Sequence, residues 1–202
     1  MQQLVSSLLD QATALSVIEA AAVILAVAYV VLAIRQNIWC WLCAAVSTAI
    51  FAWLFLGVRL YMEALLNVFY FGMAIYGWCS WHFGRRDDHD MPVVTWPRQV
   101  HAAAITVIFL LSLVTGYLFD SRTDAAFPYI DSLTSWGAVF ATFLVARKVL
   151  ENWWYWFAID ATMMFVFWAK ELELTAALYV AYLIMIPIGL VSWTRSYRES
   201  GA

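Results

Sequence analysis

Long apolar runs alternate with short polar breaks along nearly the whole chain. A helix needs about 20 apolar residues to cross a bilayer. Read with that window, the runs predict seven spans, near 16–34, 38–57, 60–81, 99–119, 131–147, 153–169 and 174–193. The breaks after the first, second, fifth and sixth spans are tight, so those neighbours pack antiparallel. Residues 82–98, with Pro92 and Pro97, and residues 120–130, with Pro128, are longer polar connections. Apolar residues make up 65% of the 202 and charged residues only 12%, with mean hydropathy +0.78. A soluble domain could not hide that much apolar surface. The expected class is therefore an all-α polytopic membrane protein, a single membrane domain over residues 1–202.

Charge adds an orientation. The N-terminus and the loops after the second, fourth and sixth spans hold Arg59, Arg122 and Lys170. The opposite loops and the C-terminal tail hold Arg35, Arg85, Arg86, Arg98, Arg147, Lys148, Arg195 and Arg198. The excess of basic residues on cytoplasmic loops places the N-terminus outside and the C-terminus in the cytoplasm. An odd number of spans fits termini on opposite sides. The first sixteen residues carry no basic n-region, so no cleaved signal peptide is expected. The net charge of −3 resides in the loops, and no nucleic-acid partner is expected.

The chain also repeats. Arg35-Gln36-Asn37-Ile38-Trp39-Cys40-Trp41 leads into the second span, and Arg147 followed by Asn152-Trp153-Trp154-Tyr155-Trp156 opens the sixth, so each copy has a basic residue, an Asn (Asn37 or Asn152) and a Trp pair. Four spans lie between them, so both copies point the same way. This predicts two parallel three-helix repeats, residues 16–81 and 131–193, joined by the fourth span, 99–119. Two such bundles could rock about a central site.

Within this frame the stretch 151–160, ENWWYWFAID, carries the most chemistry. Trp153, Trp156 and Asp160 lie at i, i+3 and i+7, one stripe of a helix that leads from indoles near the interface to a carboxylate at mid-membrane depth. No Lys or Arg of the predicted spans lies at that depth. Such an acid costs several kcal/mol unless it is paired, which marks a functional site. Aromatic faces beside an anion suit a flat, cationic, ring-bearing solute. The third span adds Glu63, Asn67, Tyr70 and Phe71; Ser47 of the second span and Tyr182 of the seventh supply hydroxyls. Together these residues predict a midplane pocket with stacking faces, an anion and amide hydrogen bonds.

Plainer readings compete at several positions. Trp39, Trp41, Trp153 and Trp154 fit an interfacial aromatic belt, with Trp154 its best candidate. Asn67 also fits helix–helix glue, and Glu63 a solvated boundary residue. Cys40 and Cys43 have redox spacing but begin a membrane helix, where packing explains them better. His82, His89 and His101, with Asp87, Asp88 and Asp90 nearby, make a weak case for a metal, and no metal or other cofactor is expected. There is no Gly-rich phosphate loop, which argues against an ATP-driven pump within the chain. The seventh span has no lysine, so it carries no retinal Schiff base. The chain is not expected to be an enzyme.

These residues carry a family resemblance. Trp153, Trp156 and Asp160 resemble the W-x-x-W-x-x-x-[N/D] signature of the PnuC family of vitamin transporters. Asn67-Val68-Phe69-Tyr70-Phe71, followed by Tyr76-Gly77-Trp78, is similar to that family's second characteristic segment. The resemblance covers nearly the whole chain. It implies a SWEET-like 3+1+3 fold in the inner membrane and facilitated diffusion of nicotinamide riboside or a related B vitamin, without a coupled ion. It further implies a homotrimer, and uptake driven by a cytoplasmic kinase that phosphorylates the vitamin. Two positions depart from the nicotinamide riboside members: Asp160 stands where they usually have Asn, and Asn67 where they commonly have Gln. In both respects the chain looks more like the thiamine-carrying relatives, so thiamine is the expected substrate and nicotinamide riboside the alternative. A SWEET-like sugar carrier is disfavoured by the buried acid and by the lack of a Pro-Gln pair.

Overall fold

A computed structural model of the protein describes residues 17–57, 59, 61–84, 90–123 and 126–200. Residues 1–16, Arg85 to His89 and Asp124 lie outside the described residues, and with them the signal-peptide reading and His89 of the metal reading. Seven helices are described: α1 (Val17–Ile34), α2 (Cys40–Gly57), α3 (Tyr61–Phe83), α4 (Arg98–Arg122), α5 (Pro128–Ala146), α6 (Asn152–Ala169) and α7 (Glu173–Glu199). Their ends fall within three residues of the sequence expectation except at the C-terminus of α7. There the helix outlasts its apolar stretch by a polar turn, closed by Arg195 Nε to Glu199 Oε1 at 2.9 Å.

Five of the helices, α1, α2, α4, α5 and α7, are long and apolar enough to cross a membrane. The other two, α3 and α6, are rich in Tyr and Trp and carry Glu63, Asn67 and Asp160. Tyrosine and tryptophan score low on hydropathy although their rings fill apolar space.

The helices close a ring. In order of contact it runs α1, α2, α3, α5, α6, α7 and back to α1. Helix α4 stands outside, packed along α5, where Trp136 Nε1 donates to Thr115 Oγ1 at 3.3 Å. Two loops shape one end of the ring, called basal here. After α1, Gln36 takes a left-handed φ of 54° and Asn37 N–H reaches back to Leu32 O at 2.9 Å. After α5, Lys148 takes φ 50° and Val149 N–H reaches Leu144 O at 2.9 Å. Both are Schellman caps, which satisfy the orphan carbonyls of a helix end and turn the chain sharply into the next helix. The 90–97 connection is stitched beneath the second loop, with Val94 N–H on Lys148 O at 3.0 Å and Leu150 N–H on Val94 O at 2.8 Å.

The basal end is filled by four indoles. Trp41 and Trp81 meet edge to face with centroids 5.5 Å apart, and so do Trp153 and Trp193 at 5.6 Å. Trp81 and Trp193 join the two pairs at 6.3 Å. Trp81 Nε1 donates to Val145 O at 3.2 Å and Trp193 Nε1 to Ala33 O at 2.9 Å. The ring of Trp41 lies on Gly77, and that of Trp153 on Gly189, where a Cβ would collide with the indole. Each of these contacts recurs at a constant offset: Trp41 and Trp153, Gly77 and Gly189, Trp81 and Trp193, and Ala33 and Val145 are 112 positions apart, like Gln36 and Lys148.

Inserting a methyl into such packing typically costs 1–3 kcal/mol. Gly77→Ala and Gly189→Ala should therefore each lower the thermal unfolding midpoint in detergent. Gly72→Ala should not, because nothing lies within 4 Å of its added Cβ and alanine is the better helix former. Equal midpoints in all three would refute the close indole packing.

Candidate functional site

Above the four indoles lies a cavity of about 700 Å³. All six ring helices line it and α4 does not. Its base is set by Ala33, Val145, Asn152, Trp153 and Ile186. Its walls carry Tyr29 of α1, Phe51 and Phe55 of α2, Tyr70 of α3, Trp156 and Phe167 of α6, and Tyr179 and Tyr182 of α7. Its apical end carries Glu63, Asp131 and Lys170, and Glu63 and Lys170 are exposed there.

Seven of the nine residues expected from the sequence come together on this cavity: Trp153, Trp156, Asp160, Asn67, Glu63, Tyr70 and Tyr182. On α6 the i, i+3, i+7 spacing puts Trp153, Trp156 and Asp160 on the inner stripe, with the acid about 10 Å along the axis from Trp153. On α3 Glu63, Asn67 and Tyr70 form the matching stripe at i, i+4 and i+7.

The other two lie elsewhere. Phe71 follows Tyr70 by one residue, a rotation of about 100°. It is 39% exposed on the outer face, in a shallow groove with Ile18, Leu42 and Trp53. Ser47 is buried, but its hydroxyl donates to Ala22 O at 2.8 Å and so ties α2 to α1 rather than lining the cavity. A buried hydroxyl needs a partner, and the adjacent helix supplied the carbonyl. Trp154, assigned to the aromatic belt, is 61% exposed.

Asp160 is the group that gives the cavity its chemistry. It is 6% exposed, midway along α6, and no described side chain gives it a hydrogen bond or an ion pair. Tyr179 and Tyr182 lie within electrostatic range of it, and they pack on each other edge to face at 5.9 Å. Tyr179 also stacks on Phe167 at 5.4 Å. Across the cavity, Asn67 Nδ2 donates to Glu63 O of its own helix at 2.9 Å. Asn67 can still offer a ligand its amide oxygen and its second N–H. Among the described residues no group of three His, Cys, Asp or Glu could hold a metal ion.

Sequence reasoning missed Tyr29, Asn152 and the polar face of α5. Asp131, Thr134 and Ser135 sit at i, i+3 and i+4, a helical pattern that was there to be read. Tyr29 is the lone ring in a helix that is apolar from Ala20 onward, a weak signal by itself.

Comparison with known proteins fits this geometry. A model of the family described as nicotinamide mononucleotide transporter matches residues 16–195. The chain belongs to this family. Among individual members, it is 26% identical to the nicotinamide riboside transporter PnuC of Escherichia coli strain K12, over 93% of this chain and 89% of that one. It is 25% identical to the riboflavin/roseoflavin transporter RibM of Streptomyces davaonensis, over 84% of this chain and 81% of that one. Among solved structures, a crystal structure of the vitamin B3 transporter PnuC superposes with a TM-score of 0.72 at 19% identity, covering 97% of this chain and 90% of that one. These proteins are transporters and not enzymes, and this chain is a multi-pass membrane protein of their family.

A buried acid with no partner weakens the empty protein. Asp160→Asn keeps the shape and removes the charge, so it should raise the stability of the ligand-free protein in detergent, by on the order of 1 kcal/mol. A thermal midpoint at or below that of the unaltered protein would mean that the carboxylate is already compensated.

Proposed function

We propose that the protein is a uniporter that carries a cationic, ring-bearing B vitamin across the inner membrane by facilitated diffusion. One observation carries this reading: an unpaired carboxylate, Asp160, stands in a cavity walled by indole and phenol rings. Aromatic faces hold a flat cation through their quadrupoles, worth about 0.5–2 kcal/mol. A charge-assisted hydrogen bond to the carboxylate adds about 1.5–3 kcal/mol.

Nicotinamide riboside is the first candidate, because its pyridinium ring is such a cation and a relative is named for it. Thiamine is the second, favoured by Asp160 itself: a full negative charge accepts hydrogen bonds from an aminopyrimidine more strongly than the amide of Asn would. Riboflavin, named for another relative, is neutral and makes no use of that charge.

The transport cycle follows from the ring. In the proposed topology the N-terminus is outside and the basal end is cytoplasmic. Helices α1–α3 and α5–α7 then form two parallel bundles linked by α4, a 3+1+3 arrangement. The contacts that recur 112 positions apart support it. The four indoles close the cytoplasmic side, and rocking of the bundles would part them and open the cavity inward. A cytoplasmic kinase that phosphorylates the vitamin would trap it and keep net uptake running. Homotrimer assembly belongs to the same proposal.

Calorimetric titration with thiamine, nicotinamide riboside and riboflavin tests the substrate. Asp160→Asn and Trp156→Ala should each weaken a cationic vitamin by at least about tenfold, while Asp160→Asn should spare riboflavin. Unaltered affinity in both variants would sink the site assignment. In proteoliposomes the bound vitamin should flow down its own gradient with no ion gradient imposed. Absence of flux would favour a receptor or assembly factor instead.

A further inference from the structure

We infer that Asn152 forms a second polar contact point at the base of the cavity, where its side-chain oxygen accepts an N–H group from the ligand. The ligand class is a ring bearing a primary carboxamide or an exocyclic amine. The inference rests on the transport reading and deepens it.

Asn152 opens α6, is 0% exposed and lines the cavity beside Trp153. Its Nδ2 donates to Val149 O at 2.7 Å. That bond settles the orientation of the amide, since the opposite placement would set oxygen against oxygen. Oδ1 has no partner and is fully buried, so it meets a ligand only when the packing around the amide shifts toward the cavity. Buried amide oxygens are nearly always satisfied, so an orphan on a cavity wall calls for an explanation.

The equivalent place in the first half of the ring shows that the fold does not require it. Position 40, 112 residues earlier, is Cys, likewise 0% exposed. Cys40 N–H donates to Asn37 O at 3.0 Å, as Asn152 N–H donates to Val149 O at 3.2 Å. The same turn therefore closes with no polar side chain, and Cys40 is not among the cavity residues. The orphan indole N–H of Trp153 does not add to the case. Trp41 has the same orphan away from the cavity, so that feature belongs to the indole packing. Asn152 is what differs between the halves, and it differs where the cavity is.

With Asp160 about two turns further along the same helix, a cationic ligand would be read at two points. The acid answers its charge and Asn152 its N–H donor. A site built to accept a hydrogen bond rejects an analogue that lacks the donor.

The test compares the intact protein with Asn152→Cys, which installs the residue of position 40. Each is titrated with nicotinamide riboside and with 3-acetylpyridine riboside, which keeps the charge and the carbonyl but has no N–H. Each is also titrated with thiamine and its 4-deamino analogue. For whichever parent vitamin the intact protein binds, Asn152→Cys should weaken binding roughly tenfold and leave the donorless analogue unchanged, so the preference collapses. Equal weakening of parent and analogue, or no weakening, overturns the proposal. Asp160→Asn should weaken both parent and analogue, since both carry the charge; if it weakens neither while Asn152→Cys discriminates, the Asp160 site falls and the Asn152 contact stands. If the intact protein binds none of the four, both fall.

Discussion

Two indole–carbonyl hydrogen bonds hold the basal end of the ring together, and the cavity above exists because they do. Trp81 of α3 donates to Val145 at the end of α5, and Trp193 of α7 donates to Ala33 at the end of α1. Both acceptors sit in the last turn of a helix, where carbonyls lack helical partners. Each already takes one bond from its own cap, Gln36 N–H on Ala33 and Lys148 N–H on Val145, and a carbonyl has a second lone pair to give. One contact thus completes a helix end, satisfies a buried indole and joins two helices that are distant in sequence. In a medium without water the two indole N–H groups would otherwise stay unpaired.

With the base closed this way, the polar groups of the interior divide by depth. The apical end carries charges of both signs on exposed residues, Glu63 and Lys170 among them, where water can share the cost. Asp160 lies deeper, walled by rings, with no basic side chain among the described residues paired to its charge. A low-dielectric wall makes an unpaired charge costly and, for the same reason, makes its attraction for a cation strong. That is the logic of a site whose stability is completed by its ligand.

The sequence made the helices legible because membrane helices announce themselves by length and apolarity, and Asp160 because an acid is so rarely placed at that depth. The stripe on α6 could be read from spacing alone. Phe71 went astray because a run of aromatic residues on α3 hides which ones share a face, and a single residue turns the ring outward. Ser47 went astray because a hydroxyl in a helix has two equally common fates, and only the neighbouring helix decides between them. The offset of 112 was obscured for a related reason: the aromatic run invites alignment of its asparagines, whereas the structure pairs Trp41 with Trp153 and leaves Asn152 opposite Cys40. What lies opposite what is a property of packing, and a linear pattern only constrains it.

The two halves keep their likeness where the ring must close and lose it where a ligand would sit. Trp41 and Trp153, Gly77 and Gly189, and Trp81 and Trp193 preserve one geometry, and Tyr70 and Tyr182 preserve a ring on each wall. Opposite Asp160 stands Thr48, whose hydroxyl turns back to Ala44 O and Ala45 O of its own helix and offers the cavity nothing. Opposite Asn152 stands Cys40. Below the charged apical end, the acid Asp160 and the amide Asn152 are therefore both on α6. On the two-bundle reading, a ligand gripped from one side would travel with α5–α7 while α1–α3 slides past it. The closing contacts need symmetry because both bundles must meet them in the same way, and the binding contacts do without it because the solute has none.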